Sequence, residues 1–117
     1  MSPWTGSVAR NSLGQREAML YAFICTDKPN SLPLRMANRP DHLAYLQSLG
    51  ERLVFAGPFT QEDGVTMNGS LVVVEAATLD TARKIAASDP FAKAGVFASV
   101  DVRPWLWTIN NPEEEEE

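Results

Sequence analysis

The sequence predicts an α+β fold in which an antiparallel sheet carries two helices on one face. Four short apolar runs bounded by Gly, Pro or Asn are typical of strands, and two stretches with apolar residues at helical spacing are typical of helices. Their order along the chain is β, α, β, β, α, β, which is the split βαβ arrangement of ferredoxin-like domains. A chain of 117 residues is long enough for one such domain and too short for two.

Three of the predicted strands lie in the first two thirds of the chain. Residues 20–25 form an apolar and aromatic run, and a polar turn follows them. Residues 52–56 and 69–76 form two further apolar runs, which a polar connection at residues 61–68 joins. Because this connection is short and contains a glycine, the two runs should pair as an antiparallel hairpin.

The first helical pattern occupies residues 32–49. Leu43, Leu46 and Leu49 recur there at helical spacing, so these side chains should face the core. Pro40 lacks the backbone N–H that a helix interior requires. We therefore expect a short helical turn followed by a longer helix.

The second helix is predicted to begin after Thr78, whose hydroxyl group can cap the first turn. It should end before Asp89 and Pro90, because the residue that precedes a proline avoids the helical conformation. The predicted buried face of this helix consists of four apolar residues, Leu79, Ala82, Ile85 and Ala86.

The last strand is predicted at residues 96–107, where Pro104 requires an edge strand or a bulge. Strand alternation divides its side chains between the two faces of the sheet. One set is mostly apolar and suits a core beneath the helices: Val96, Ala98, Val100, Val102 and Leu106. The other set is amphipathic and aromatic: Phe97, Ser99, Asp101, Arg103, Trp105 and Trp107. A homodimer that closes two such sheet faces over a shared cavity would bury the tryptophans and keep the charges satisfied.

Composition and charge limit the class of partner and the compartment. The net charge is −5, but the five glutamates at residues 113–117 account for it, and the rest of the chain has equal numbers of acidic and basic residues. Clustered Lys and Arg are absent, so we expect neither nucleic acid nor a membrane surface as partner.

We predict a flexible leader at residues 1–18, a domain at residues 19–109 and an acidic disordered tail at residues 110–117. Without an apolar run long enough to span a bilayer, the protein is predicted to be cytoplasmic.

Several chemistries are not supported by the motifs present. One histidine and one cysteine, Cys25, do not suffice for a tetrahedral zinc site, and the sequence has no glycine-rich phosphate loop or GxSxG motif. Cys25 lies in an apolar run with no basic neighbour, which favours a small buried residue over a nucleophile. Chemistry without a cofactor is the simplest enzymatic interpretation.

The single histidine, His42, and Asp89 are the candidate reactive residues. A lone helical histidine is more often structural or exposed than catalytic, and an aspartate after a helix is commonly a turn residue. The functional alternative is that Asp89 accepts a hydrogen bond from His42, which would fix the tautomer of the imidazole and stabilise its charged form. Their distance along the sequence does not decide between these interpretations.

Three segments of the sequence carry a family resemblance: RPDHLAYLQSLG, VFAGPF and SDPFAKAGVFASVDVRPW. Together they resemble the YCII-related family, and the match runs from about Met19 to Trp107. The resemblance implies a ferredoxin-like fold that dimerises face to face into an α+β barrel, with a His/Asp pair as its proposed active site. The family's pair falls on His42 and Asp89 in this sequence.

Further residues are candidates for binding a small-molecule ligand. Gly57 and Pro58 match the family's AGP turn and should shape the pocket. Arg35, Arg39 and Arg103 could each bind a carboxylate or phenolate, although such an arginine is more often a solvated charge or an ion-pair partner, and the strand face of Arg103 ranks it first. Three aromatic residues could form the pocket walls or could simply pack in the core or the dimer: Tyr45, Phe97 and Trp105.

Two functions from different classes follow. The first is a cofactor-free enzyme in which His42, oriented by Asp89, moves a proton during an isomerisation or elimination on a small, possibly ring-derived substrate. The resemblance favours it, because a dehydrochlorinase acting on a chlorinated hydroxyquinol and muconolactone-isomerase-like proteins are similar in family or barrel architecture. The second is a dimeric module that binds a small metabolite or associates with other proteins. A solvent-accessible pocket at a His42–Asp89 contact would favour the enzyme, whereas a filled barrel interior would favour the module.

Overall fold

The structure is a computed structural model that describes residues 19–112. The predicted leader at residues 1–18 and the glutamates at residues 113–117 lie outside the described residues. Within these residues eight elements follow one another: β1 (Met19–Asp27), α1 (Leu32–Ser48), a 3-10 turn (Gly50–Arg52), β2 (Leu53–Thr60), β3 (Met67–Ala76), α2 (Leu79–Ala87), α3 (Pro90–Ala94) and β4 (Phe97–Trp105). The predicted order is confirmed, and the one-turn helix α3 is an addition to it.

The four strands form one antiparallel sheet in the order β2-β3-β1-β4. Strands β2 and β3 pair directly, as the hairpin prediction requires. Strand β4 lies at the edge, which explains why Pro104 is accommodated within it although a proline cannot donate a ladder hydrogen bond. The fold is therefore the ferredoxin-like α+β arrangement that the sequence predicts.

The core lies between one face of the sheet and the helices α1 and α2. Alternating residues of the central strands point into it: Tyr21, Phe23, Cys25, Val72, Val74 and Ala76. The helices contribute Leu46, Ala82, Ile85 and Ala86, and Leu49 joins them just after the end of α1. The N-terminus of α2 is capped as predicted, since the backbone N–H of Thr81 donates to the Thr78 hydroxyl oxygen at 3.1 Å. No helix within residues 19–112 is long and apolar enough to cross a lipid bilayer.

Helix α1 differs from the prediction because it continues through Pro40 without a break. An interior proline costs about 3 kcal/mol through its missing hydrogen bond and its clash with the preceding turn. Arg35 lies before Pro40 and His42 lies after it, and both side chains are buried. The buried Arg35 and His42 side chains hold the two halves of α1 against the rest of the domain. The free energy gained from this packing offsets the cost of the proline.

The buried stripe of α1 is more polar than expected. The prediction that Leu43 faces the core is wrong, since 40% of its surface is exposed. The buried residues of α1 are Arg35, His42 and Leu46, and the buried Leu49 follows directly after the helix. Hydrophobicity alone does not identify the two polar members, because their burial depends on partners supplied by other elements.

The alternation predicted for the last strand is interrupted by a bulge. Thr26 pairs with Ser99, but its neighbour Asp27 pairs with Phe97, so Ala98 is the extra residue. As a result Phe97 turns to the helix side and packs against the core, contrary to the prediction that it faces the open side. Beyond the bulge Val102 packs against the core as expected. Leu106 lies past the end of β4 and is exposed rather than buried.

The open face of the sheet carries an aromatic cluster of three rings. Phe55 makes edge-to-face contacts with Trp105 and Trp107, with ring centroids 5.8 Å and 5.3 Å apart. The two tryptophan rings stack with their centroids 5.5 Å apart. Arg103 lies on the same face, because it pairs with Ala22 in β1, a residue that alternates with the core residues Tyr21 and Phe23.

We expect Gly69→Ala to destabilise the protein by about 1–3 kcal/mol, the usual cost of adding a methyl group to a packed site. A Cβ atom on Gly69 would lie 2.5 Å from the backbone oxygen of Cys25 and 3.2 Å from the ring of Phe59. Urea denaturation monitored by tryptophan fluorescence measures the change. The matched control is Gly57→Ala, because a Cβ atom there meets no other atom within 4 Å. Equal urea midpoints for Gly69→Ala and Gly57→Ala would contradict the prediction.

Candidate functional site

The position of Asp89 is fixed by its role at the start of α3. The backbone N–H of Phe91 donates to Asp89 Oδ1 at 2.9 Å, so Asp89 caps this short helix, with Pro90 in the first turn. Gly95 ends α3 with a φ of 83°, a conformation that glycine adopts without strain. The carboxylate is therefore held in one orientation by local structure.

His42 contacts this carboxylate from the neighbouring helix α1. Its Nδ1 atom lies 2.9 Å from both Oδ1 and Oδ2 of Asp89. The two side chains are 9% and 8% exposed. Asp89 thus accepts both the Phe91 backbone N–H and the imidazole, so the same carboxylate acts as helix cap and histidine partner.

Phe91 fixes the plane of the imidazole. Its side chain is fully buried, and its ring stacks on His42 with centroids 4.0 Å apart and planes inclined by 14°. The guanidinium carbon of Arg35 lies 4.4 Å from the centroid of the same ring. Phe97 contacts Phe91 edge to face at 5.8 Å. The residues around the imidazole are therefore packed into the core, which limits the movement of the ring.

Arg35 is almost completely buried, with 2% of its surface exposed. Its Nε and Nη2 atoms donate to the carboxylate of Asp27 at 2.7 Å and 3.0 Å, in the two-pronged geometry that arginine favours. Nη2 also donates to the Ser70 hydroxyl oxygen at 2.8 Å. These bonds join the end of β1, the first turns of α1 and the start of β3.

A cavity of about 170 Å³ lies beside His42, between α1 and the β2–β3 hairpin. Five residues of α1 line it: Arg35, Arg39, His42, Leu43 and Leu46. The hairpin contributes Ala56, Gly57, Pro58, Met67, Ser70 and Val72. Because Val72 belongs to the helix-facing side of β3, the cavity lies on the same side of the sheet as the helices.

Among the described residues, the charged side chains that line the cavity are all on α1. Arg35 is neutralised by Asp27, which does not line the cavity. Arg39 is half-buried and has no hydrogen-bond or ion-pair partner among residues 19–112. Among residues 19–112, no acidic residue lines the cavity. Its walls therefore combine two guanidinium groups and an imidazole with apolar side chains.

The structure brings some of the predicted site residues together and separates others. His42, Gly57 and Pro58 line the cavity, and Asp89 lies directly behind His42. Tyr45 does not line it; its hydroxyl group donates to the backbone oxygen of Ile85 at 2.8 Å.

Three predicted ligand-binding residues lie elsewhere in the fold. Phe97 is part of the packing around Phe91, on the helix side of the sheet. Arg103 and Trp105 are on the open face, across the sheet from the cavity. The ranking of Arg103 above Arg35 and Arg39 followed from the strand pattern, whereas the two α1 arginines are those that line the cavity.

Two residues near the site have pKa values above their usual range. Burial, reinforced by the negative charge of Asp89, raises the pKa of the Cys25 thiol to about 12. The same two causes raise the pKa of Tyr45. Cys25 is thus a protonated, buried thiol at neutral pH, which agrees with its interpretation as a core residue. Within residues 19–112, no group of three His, Cys, Asp or Glu residues is arranged to hold a metal ion.

The sequence interpretation missed Ser70, Met67 and Ala56 as cavity residues. No motif marks them, since their roles follow from the register of the hairpin opposite α1. The sequence does contain one indication of the cavity wall that α1 forms. Arg35, Arg39 and His42 follow one another at intervals of four and three residues. That spacing puts them on one face of a helix.

Residues 19–106 match the YCII-related domain family. Protein YciI from Escherichia coli O6:H1 is 39% identical over 94 residues, which cover 74% of this chain and 96% of that protein. An uncharacterized protein from Haemophilus influenzae is 38% identical over 94 residues, with the same coverage.

Among solved structures, a dehydrochlorinase is similar to this chain over most of its length. The 5-chloro-2-hydroxyhydroquinone dehydrochlorinase from Burkholderia phenoliruptrix AC1100, in complex with 2,5-dihydroxybenzoquinone, superimposes with a TM-score of 0.71 and 36% sequence identity. The match covers 80% of this chain and 99% of that chain. A NIPSNAP family protein from Agrobacterium tumefaciens, at 17% identity and a TM-score of 0.51, shares the fold alone.

Proposed function

The chain belongs to the YCII-related domain family, and on that premise we propose that it is an acid–base enzyme in which His42, oriented by Asp89, transfers a proton on a small molecule. The observation that carries this proposal is the 2.9 Å contact between His42 Nδ1 and Asp89 at the wall of a cavity. A buried carboxylate against Nδ1 is the arrangement that prepares the other ring nitrogen for proton transfer.

The hydrogen bond between His42 and Asp89 gives the two nitrogens of the imidazole ring different roles. When His42 is neutral, its Nδ1–H donates to the Asp89 carboxylate, and the lone pair on Nε2 is free to accept a proton. His42 lines the cavity and Asp89 does not, so the Nε2 edge is the one available to a bound molecule. After the proton is transferred, the charge on the imidazolium is stabilised by Asp89.

Two reactions use this proton transfer. In an isomerisation, Nε2 takes a proton from one carbon atom and returns it to another atom of the same molecule. In an elimination, the electron pair of the broken C–H bond forms a new double bond, while the neighbouring bond to the leaving group breaks and the leaving group departs with its own electron pair. The similarity to a dehydrochlorinase supports elimination and a ring-derived substrate.

We further propose that the protein works as a homodimer of the cytoplasm that pairs through the open face of the sheet. The aromatic cluster of Phe55, Trp105 and Trp107 supports this, because a surface of three large rings is favourably covered by a second protein surface. Arg103 would then belong to the dimer interface. The cavity on the helix side of each protomer would remain open to ligand.

The His42 tautomer tests the acid–base proposal directly. In the wild type we expect neutral His42 to carry its proton on Nδ1, as read from long-range ¹H–¹⁵N NMR spectra; one histidine makes the assignment unambiguous. Asp89→Asn should move the proton to Nε2, because the new side-chain amide can donate to Nδ1. Asn is as good a helix cap as Asp, so α3 should be preserved.

The matched control is Asp41→Asn, which removes the same charge from an exposed neighbour on α1. It should leave the His42 tautomer unchanged. A wild-type tautomer with the proton on Nε2 would rule out Nε2 as the base, and the proposed mechanism with it.

A further inference from the structure

We propose that the cavity binds its substrate as an anion, with a substrate oxyanion held by the Arg39 and Arg35 guanidinium groups next to the atom on which His42 acts. This inference rests on the proposed function and adds the class of substrate to it. Its support comes from the hydrogen-bond inventory of the cavity wall, from its charge and from the spacing of the three residues on α1.

Arg35 has unused donors within the cavity wall. An arginine has five N–H groups. Three donate to Asp27 and Ser70, and the two on Nη1 have no partner among residues 19–112. A buried hydrogen-bond donor without a partner destabilises the protein. Arg35 is 98% buried and lines the cavity, so its free N–H groups favour a ligand that accepts hydrogen bonds.

Arg39 supplies a positive charge that no residue of the described part of the chain neutralises. It is half-buried, lines the cavity and has no partner among the described residues. Two carboxylates that contact residues of the site are engaged with those residues, Asp27 with Arg35 and Asp89 with His42. The field within the cavity therefore favours a negative charge, and burial strengthens that preference.

Ser70 adds a third donor on the opposite wall. Its hydroxyl oxygen accepts from Arg35 Nη2, so its own hydrogen is directed to a different acceptor. Ser70 is buried and lines the cavity. Because the hydrogen bond from Arg35 polarises this hydroxyl group, it is a better donor to an oxyanion than a free serine would be.

The spacing on α1 puts the anion next to the base. Arg39 and His42 are three positions apart on the helix, which corresponds to roughly 5–6 Å between their Cβ atoms. Removal of a proton beside a carbonyl group moves negative charge onto the oxygen, where guanidinium groups stabilise it. Four large apolar side chains form part of the remaining cavity lining: Leu43, Leu46, Met67 and Val72. The class that fits is a small, largely apolar carboxylate, phenolate or enolate.

The probes are benzoate and benzamide, which have the same shape and differ in charge. Ligand-observed NMR titrations of the full-length protein measure both dissociation constants. We expect benzoate to bind about tenfold or more tightly than benzamide, the advantage typical of a charge-assisted hydrogen bond. Arg39→Gln should remove that difference. The matched control is Arg83→Gln, which removes the same charge from an exposed position on α2 and should leave both constants unchanged.

The His42→Gln variant separates this inference from the proposed function. If it retains the preference for benzoate, the anion site stands whether or not His42 is the base. Equal affinities for the two probes, or no binding of benzoate, would overturn the inference. Loss of the preference in Arg103→Gln but not in Arg39→Gln would also overturn it, because the anion would then lie on the open face of the sheet.

Discussion

Asp27→Leu should lower the free energy of unfolding by about 3–5 kcal/mol, the usual cost of removing one partner of a buried ion pair. The side chains of Asp27 and Arg35 are 3% and 2% exposed, and their closest atoms are 2.7 Å apart. Without the carboxylate, the Arg35 guanidinium would stay buried with Ser70 and the Phe91 ring as its remaining neighbours. Chemical denaturation followed by circular dichroism measures the loss.

The double variant Asp27→Leu/Arg35→Met should recover most of that stability. Replacing both members of a buried pair with apolar residues of similar volume is often neutral or stabilising. The double variant also keeps the prediction testable if the single variant is unfolded at room temperature.

A matched surface pair provides the control. Lys84 and Asp80 on α2 lie 3.3 Å apart with 77% and 76% of their side chains exposed. Asp80→Asn should change the stability by less than about 1 kcal/mol, because water screens an exposed pair. Similar losses from Asp27→Leu and Asp80→Asn would contradict the claim that burial makes the Arg35 pair important.

His42→Gln should reduce the rate of the chemical step by about 10²–10⁴-fold, the contribution that a positioned acid–base group makes to proton transfer. Gln can keep a hydrogen bond to Asp89 but cannot take up a proton. Chloride release from 5-chloro-2-hydroxyhydroquinone, the compound in the name of the structural neighbour, is the first assay. Uptake of solvent deuterium into small anionic carbon acids is the second, since it detects proton abstraction in either type of reaction.

The stability of each variant has to be measured alongside its rate. His42 stacks on Phe91 in the core, so loss of activity through unfolding must be separated from loss of the base. Asp89→Asn is the companion variant, because it keeps the histidine and the helix cap and changes the tautomer. If His42→Gln is folded and as active as the wild type, His42 is not the base. If the folded wild type binds ligands but catalyses no exchange, the protein is a small-molecule-binding module.

Local patterns in the sequence were sufficient for the order and pairing of the main elements. The hairpin of β2 and β3, the Thr78 cap of α2 and the edge position of Pro104 all depend on residues that are close along the chain. Backbone conformational preferences and the burial of alternating apolar residues act over such short distances, so they can be read without the fold.

The sequence-based predictions were wrong where contacts with residues far along the chain determine the local conformation. The bulge that turns Phe97 to the helix side depends on the register of β4 against β1. The continuity of α1 through Pro40 depends on what the helix packs against on either side. In both cases packing between elements outweighs the local preference of the residue.

The sequence by itself determined the ferredoxin-like fold, the family and the two candidate reactive residues. It did not determine that α1 and α3 bring His42 within 2.9 Å of Asp89, or that Arg35 and Arg39 line the cavity while Arg103 lies across the sheet. Only the tertiary structure decided these contacts, because the burial of a charged or polar side chain is favourable only where other elements supply its partners.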